Sequence, residues 1–385
     1  MLTVVNPFFL FQKYYLYECK NPFVKFAAVK SLLFIFVLIV SSTVLSQPTE
    51  HDHWIEARLK GGFLAAHSSV MGHLAKQHAV GLEVSYMFQS KGRKEWQKAY
   101  NYPVFGVTAF ATSAGNREIV GNFYGLFAFM NLPLIKRKIY SLSAKVGAGL
   151  AYNPKVYDNE TNIFQVAIST HINARITMGL ENRFTFGNNS IVVGIDATHF
   201  SNSAIKVPNL GINLPFLSLG YAYRIKENKD SITPIPRAVK YWQFGAVGIL
   251  SVKETFPTGG KKYPVYGLNL VARRFFNHKT GMEFSIDFIS KQAIFNYHDD
   301  VPKTQAGILQ IGAFVGFILP FDRLHLITGM GIYIKDKYQP EDFLYHRVGM
   351  RYVFDNGINI NLVLKSHWAR ADYTEFGIGY TFKYE

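Results

Sequence analysis

From Trp54 onward, apolar and polar residues alternate with a period of two, in segments of about 11 to 15 residues separated by glycine-rich or charged stretches. Such alternation predicts β-strands with one apolar and one polar face. The predicted strands are 55–67, 79–90, 100–112, 119–131, 138–152, 170–186, 190–201, 214–226, 240–252, 263–276, 279–290, 304–319, 322–334, 343–354, 357–368 and 371–384.

The connections between these strands alternate between tight and long ones. Residues 187–189 (GNN) and 355–357 (DNG) are tight-turn sequences. The long connections are 68–78, 153–169, 200–213 and 291–302. Short turns on one rim and long loops on the other are typical of an outer-membrane barrel, and each strand is long enough to cross a bilayer. We therefore predict an all-β, transmembrane antiparallel β-barrel. A soluble β-sandwich or propeller is the alternative, but strands of this length are uncommon there.

The chain repeats itself. KVGAGLAY (145–152) resembles ITGMGIYI (327–334), and FLSLGYAYR (216–224) resembles EFGIGYTFK (375–383). The repeat predicts two tandem units of eight strands, about sixteen strands in all.

We place the first unit at 47–226, a linker at 227–239 and the second unit at 240–385. His199 and His367 fall at matching places, each at the end of the seventh strand of its unit. A single wide barrel is favoured over two small barrels, because one closure removes every strand edge.

The amino terminus carries the one long apolar run, SLLFIFVLIVSSTVLS at 31–46, which follows two lysines. Its length predicts a signal peptide over residues 1–46, with the mature chain beginning near Gln47. An uncleaved anchor helix is the alternative. Cleavage would remove Cys19, the only cysteine, so that the mature chain could form no disulfide.

Composition agrees with a membrane environment, because aromatic residues make up 16% of the chain and charged residues only 17%. The formal net charge of +15 favours a polyanionic partner. The sequence shows no zinc-finger, RRM-like or basic-helix pattern, so we expect no nucleic-acid partner. A membrane surface rich in lipid phosphates fits a secreted protein better.

Candidate catalytic residues lie at the end of the predicted strand 190–201. Its odd positions are apolar up to Ala197 and are then followed by His199 and Ser201. Successive side chains point to opposite faces of a strand, so His199 and Ser201 are predicted to share the lipid face at the upper rim. On the next strand, Asn213 precedes the lipid-facing positions Pro215 and Leu217. A serine, a histidine and a polar orienting group thus converge, as in nucleophilic hydrolases.

The motif His199-x-Ser201-Asn202, followed by Pro208-Asn209 and by Asn213 fourteen residues after the histidine, resembles the PagL-type lipid A 3-O-deacylases. The resemblance covers about residues 55–226. These enzymes are eight-stranded barrels of Gram-negative outer membranes, and they hydrolyse an acyl ester of lipid A.

The resemblance implies His199 as general base, Ser201 as nucleophile, and Asn202 or Asn209 as oxyanion-stabilising residues. Asn213 falls where the family typically has a base-orienting glutamate. An amide can orient an imidazole, but it cannot stabilise the imidazolium by charge. The expected partners are the membrane and lipid A or another outer-leaflet lipid, with no metal or organic cofactor.

Other candidate sites carry weaker signals. His67, His73 and His78 flank the first long loop, but their spacing matches no compact zinc motif. The glycines of 145–150 precede no helix and so form no phosphate loop. His367 has no serine two positions on, so the second unit is expected to be structural. A non-enzymatic pore or scaffold that retains the motif, and an outer-membrane phospholipase, remain as alternative functions.

Overall fold

The computed structural model describes residues 52–227, 240–255, 258–296, 301, 304–338, 342–368 and 370–384. The predicted signal peptide lies outside these residues, as does the predicted linker apart from Glu227. The described residues form sixteen antiparallel strands in two closed barrels. Within the ranges just given, no helix has the length and apolar character needed to span a membrane.

The first barrel contains eight strands joined in chain order, and β8 pairs with β1 to close it. Its strands are β1 (Asp52–Phe63), β2 (His78–Gln89), β3 (Val104–Ser113), β4 (Asn122–Lys136), β5 (Tyr140–Tyr152), β6 (Ile172–Phe186), β7 (Asn189–Ser201) and β8 (Ile212–Lys226).

The second barrel repeats this topology, and β16 pairs with β9 to close it. Its strands are β9 (Tyr241–Glu254), β10 (Lys262–Phe275), β11 (Gly281–Lys291), β12 (Leu309–Phe321), β13 (Leu324–Lys335), β14 (Leu344–Val353), β15 (Ile358–His367) and β16 (Arg370–Tyr384). The repeated sequences fall on corresponding strands, because 145–152 lies in β5 and 327–334 in β13.

The prediction of sixteen strands in two tandem units is confirmed, whereas the preference for one wide barrel was wrong. In each unit the first and last strands form a continuous ladder, for example from Trp54–Arg224 to Gly62–Phe216 in the first barrel. No strand edge therefore remains through which the two sheets could join into one wide barrel. The period-two pattern is the same for either closure, so it could not distinguish them.

Two strands begin several residues later than the apolar pattern predicts. The strand predicted at 100–112 begins at Val104. A short helix, Glu95–Ala99, precedes it, and the two residues Asn101 and Tyr102 between helix and strand have φ angles of 57° and 61°, which a strand does not allow. The strand predicted at 304–319 begins at Leu309. There the Thr304 side chain accepts a hydrogen bond from Gly307 N and caps a one-turn helix.

The interior of the first barrel is filled by paired charges and aromatic rings. Arg58 donates to Glu181 at 2.6 Å, and Lys60 lies 2.8 Å from Asp196. Above these pairs, the rings of Phe123 and Phe200 stack with centroids 4.2 Å apart. An eight-stranded barrel has an interior just wide enough for side chains, and this one is packed with them.

The second barrel is also packed with charges. Arg351 donates to Glu283 at 2.8 Å, and Lys253 donates to Asp372 at 2.6 Å. His367 lies in this interior. Its ring nitrogens contact Leu344 O at 2.8 Å and Asp372 Oδ2 at 3.3 Å.

The two barrels touch at both rims. At the lower rim, Tyr100 donates a hydrogen bond to Lys279 O at 3.0 Å and packs against Phe321, with ring centroids 4.9 Å apart. At the upper rim, the Val207 backbone N–H donates to a carboxylate oxygen of Glu254 at 3.1 Å. Matching contacts at both ends indicate that the barrels stand side by side in the same orientation.

Candidate active site

The β7–β8 ladder brings the first two candidate residues together. His199 pairs directly with Asn213, and the imidazole Nδ1 lies 2.6 Å from the amide Oδ1. An amide oxygen only accepts hydrogen bonds, so Nδ1 must carry the proton. The lone pair of Nε2 is therefore free to act as a base.

Outward alternation along β7 is confirmed, because Ile191, Val193 and Ile195 are exposed on the outer wall. The expected exposure of Ser201 to lipid was wrong, because Ser201 is only 7% exposed and His199 is partly buried. The upper loops fold over the end of the strand. Period-two patterning describes strand faces and carries no information about loops that cover them.

Two loops form this cover. Loop 202–211 follows Ser201, and loop 153–171 packs on it through hydrogen bonds from Gly211 N to Ala167 O at 3.0 Å and from Ser169 Oγ to Lys206 O at 2.9 Å. Further along loop 153–171, backbone N–H groups of Thr161 and Glu160 donate to Asp158 and hold the pKa of its carboxyl below the ordinary value. The cover is therefore an ordered structure.

Ser201 lies two residues beyond His199 on the same face of β7. Among the described residues, no hydrogen bond joins the Ser201 hydroxyl to the imidazole. In substrate-free hydrolases the bond between nucleophile and base is often long and tightens in the substrate complex. The two residues share a face, but the arrangement is not that of a closed dyad.

The two candidate oxyanion residues differ in their free hydrogen-bonding groups. The Asn202 amide nitrogen donates to Ser169 Oγ at 3.0 Å and to Lys206 O at 2.9 Å, so its donors are committed to the loop. Asn209 uses its Oδ1 to accept from Asn202 N at 3.0 Å. No hydrogen bond from the Asn209 amide nitrogen is present within the described part of the chain. Asn209 therefore has the more available donor.

Gly211 is a site residue that the sequence pattern did not identify. Its φ is +78°, a left-handed conformation that side chains rarely adopt. A Cβ placed on Gly211 would lie 2.7 Å from His199 Cε1 and 3.3 Å from Nε2. The absence of a side chain here lets loop 202–211 pack against the reactive edge of the imidazole.

If His199 acts as a base, we expect Gly211→Ala to reduce turnover by about 100-fold, because a shift of about 1 Å in a catalytic group has that order of effect. The barrel itself should remain folded. Turnover and heat-modifiable migration of the purified protein measure the two effects. Gly72→Ala is the matched control, because a Cβ on that upper-loop glycine would meet nothing within 4 Å. Equal turnover in both variants would contradict the assignment of Gly211.

The three loop histidines do not converge. His73 donates to Phe164 O at 2.8 Å, His78 begins β2, and His67 contacts Asn213 with 3.0 Å between His67 Nδ1 and the amide Nδ2. In the ranges that the structure describes, no group of three or more His, Cys, Asp or Glu side chains is arranged to hold a metal ion. The contact between His67 and Asn213, 146 residues apart, has no signature in the sequence.

In the part of the second barrel that the structure describes, there is no equivalent of this arrangement. His367 is the last residue of β15 and His199 lies two residues before the end of β7, but His367 faces the barrel interior and is 4% exposed. The correspondence of the two histidines is therefore one of chain position and not of orientation.

An apolar groove of about 520 Å³ lies on the outer wall of the first barrel and crosses β6, β7, β8 and β1 just below His199 and Asn213. Ala197 lies two residues below His199, and Pro215 two residues below Asn213, so the groove begins directly beneath the pair. Its other apolar side chains are Phe63, Met178, Leu180, Ile195 and Leu217. This volume lies within the range of about 300–1,000 Å³ that is usual for small-molecule sites.

A closed eight-stranded antiparallel barrel with an apolar outer wall is typical of membrane β-barrels, and this one carries the His199–Asn213 pair near its rim. Comparison with protein families identifies which one. Residues 80–222 match the family described as lipid A 3-O-deacylase (PagL), and residues 240–384 match the one described as acyloxyacyl hydrolase, C-terminal domain (PagL_C). The chain belongs to the PagL family. Membership supports a hydrolase that acts on lipid A, and together with the barrels it implies a bacterial outer-membrane protein.

Other comparisons add little. No curated protein matches the chain. A mutant porin of Rh. blastica matches at 9% identity and a TM-score of 0.19, over 86% of this chain and 100% of the porin. A BenF-like porin from Pseudomonas fluorescens Pf-5 matches at 9% identity and a TM-score of 0.24, over 87% and 98% of the two chains. Scores this low support no inference about fold or function.

Proposed function

We propose that this protein is an outer-membrane ester hydrolase that removes a fatty acyl chain from lipid A, with Ser201 as nucleophile and His199 as general base. The observation that carries the proposal is the 2.6 Å hydrogen bond between His199 and Asn213, which leaves Nε2 free on the outer wall above an apolar groove. Membership in the PagL family supports the same substrate.

In the first half of the reaction, Ser201 Oγ attacks the ester carbonyl carbon while His199 Nε2 takes the hydroxyl proton. The tetrahedral intermediate then collapses. The bond to the sugar oxygen breaks, and the imidazolium returns its proton to that oxygen. An acyl group remains on Ser201.

In the second half, water attacks the acyl-serine and His199 again takes and returns one proton, which releases the fatty acid. The Asn209 amide nitrogen is the better candidate for the oxyanion donor, because the amide donors of Asn202 are already used within the loop. Asn202 instead supports loop 202–211. No step requires a metal or an organic cofactor.

The apolar groove supplies a place for the acyl chain. It opens on the outer wall and lies just below His199 and Asn213, so an acyl chain lying in it would place its ester near the rim. A substrate drawn laterally from the membrane would not need to leave the bilayer. The packed, charge-filled interior of the first barrel counts against the alternative of a water-filled pore.

Mass spectrometry tests the function directly. Purified protein is incubated in mixed micelles with lipid A or, separately, with glycerophospholipid, and Ser201→Ala protein serves as the control. We expect lipid A to lose the mass of one acyl chain, with release of an equal amount of fatty acid. Release from the glycerophospholipid alone would identify a phospholipase. Release from neither substrate would contradict the proposal.

A separate prediction concerns where the mature protein is located and where its chain begins. We expect the mature protein to fractionate with outer membranes and to begin near Gln47, because the apolar run at 31–46 has the length of a signal peptide. Amino-terminal sequencing of the protein from that fraction checks this. A mature chain that still begins at Met1 would contradict the proposed cleavage.

A further inference from the structure

His67 lies in the loop after β1, beyond the predicted active-site motif. The backbone carries β1 toward the site, because Ala65 N donates to Asn213 O at 2.9 Å. Two residues later, His67 Nδ1 lies 3.0 Å from the Asn213 amide nitrogen. Asn213 therefore stands between two imidazoles, with its oxygen toward His199 and its nitrogen toward His67.

The direction of the hydrogen bonds follows from the donors available. An amide nitrogen only donates, so His67 Nδ1 must accept and its ring proton must be on Nε2. An amide oxygen only accepts, so His199 Nδ1 must donate. The three side chains form one directed chain, from His199 through Asn213 to His67.

An amide presents two ends of similar shape and opposite hydrogen-bonding character. If the Asn213 amide were turned by half a rotation, its nitrogen would face His199 Nδ1. His199 Nδ1 would then have to accept, so its proton would move to Nε2, and His67 Nδ1 would have to donate to the amide oxygen, so the His67 proton would move from Nε2 to Nδ1. His199 Nε2 would then have no lone pair with which to act as a base. A carboxylate has two equivalent acceptor oxygens and does not have this problem.

We propose that His67 is a positioning residue, which fixes the orientation of the Asn213 amide and thereby the tautomer of His199 that can act as a base. This inference rests on the proposed function of His199. His67 would have no such role in a chain with a carboxylate at position 213, so the proposal explains how an amide can serve there.

A double-mutant cycle tests the proposal. We expect His67→Ala to lower kcat by about tenfold, the lower end of the effect of residues that orient a functional side chain, with little change in KM. In the Asn213→Glu background, the same substitution should change kcat less than about twofold, because a carboxylate needs no orientation. Equal losses in both backgrounds would indicate a general role in the loop and would overturn the proposal. An unchanged kcat for His67→Ala alone would also overturn it.

His73→Ala is the matched control, since His73 lies in the same loop and also makes one hydrogen bond, to Phe164 O. It should leave kcat within about twofold in both backgrounds. A tenfold loss in this control in both backgrounds would assign the loss of activity to the loop as a whole and would overturn the specific role of His67.

A second measurement does not depend on activity. In folded protein with nitrogen-labelled histidine, NMR above about pH 8.5, where an ordinary imidazole is neutral, reports which ring nitrogen carries the proton. The His199 signal is assigned by its loss in His199→Ala. We expect protonated Nδ1 in the wild type and a mixture of tautomers in His67→Ala. An unchanged tautomer would overturn the role of His67, whereas inactive wild-type protein with the expected tautomer shift would contradict only the proposed function.

Discussion

Ser201→Ala and His199→Ala should each lower the release of fatty acid from lipid A by about 10⁴-fold or more, the order of loss seen when a nucleophile or its base is removed. Nucleophile and base act as a unit. The double variant should therefore be little slower than either single variant.

The folded barrel should survive both substitutions. The Ser201 hydroxyl makes no hydrogen bond among the described residues, and the His199 side chain bonds only to Asn213 at the rim, so neither substitution breaks a hydrogen bond of the barrel interior. Heat-modifiable migration on gels measures folding, and mass spectrometry of lipid A measures turnover. Ser203→Ala is the matched control, because it removes a hydroxyl two residues further along, in the loop that follows Ser201. Activity retained in Ser201→Ala would remove that residue as nucleophile.

The strands and their faces could be predicted because alternation is a local property of the sequence. The outward positions of β7 and the inward position of Asp196 both follow from the period of two. The closure of each barrel could not be predicted in this way. It depends on pairs such as Leu59 with Leu219, which lie far apart in the chain and would look the same on the edges of a wider sheet.

The sequence predicted only those residues of the candidate site that lie within the motif at 199–213. His199 and Asn213 were placed together correctly, because they lie on neighbouring strands. The burial of Ser201 was missed, since it depends on how loops 153–171 and 202–211 pack. His67 was considered only as a metal ligand. Its contact with Asn213 arises from the extension of β1 beside β8, which no spacing within the motif records.

Two explanations can account for an asparagine at position 213, and substitutions of Asn213 distinguish them. It orients His199, or it simply begins a strand after a loop, where asparagine is common for conformational reasons. If it orients the imidazole, Asn213→Ala should lower kcat by about 100-fold, because the freed ring would lose both its position and its tautomer. If it serves only the loop, turnover should stay near that of the wild type.

Asn213→Glu gives the sharper test, because it places a negative charge beside the base and leaves an acceptor for Nδ1. A nearby negative charge stabilises the protonated imidazolium, so His199 would become protonated at a higher pH than in the wild type. The acidic limb of the pH–rate profile should therefore move to higher pH, by about one unit or more. Asn122→Glu is the matched control, because it adds the same charge at the upper end of β4, three strands away from β7. That variant should keep the wild-type profile. An unchanged profile in Asn213→Glu, together with near-wild-type turnover in Asn213→Ala, would remove Asn213 from the catalytic site.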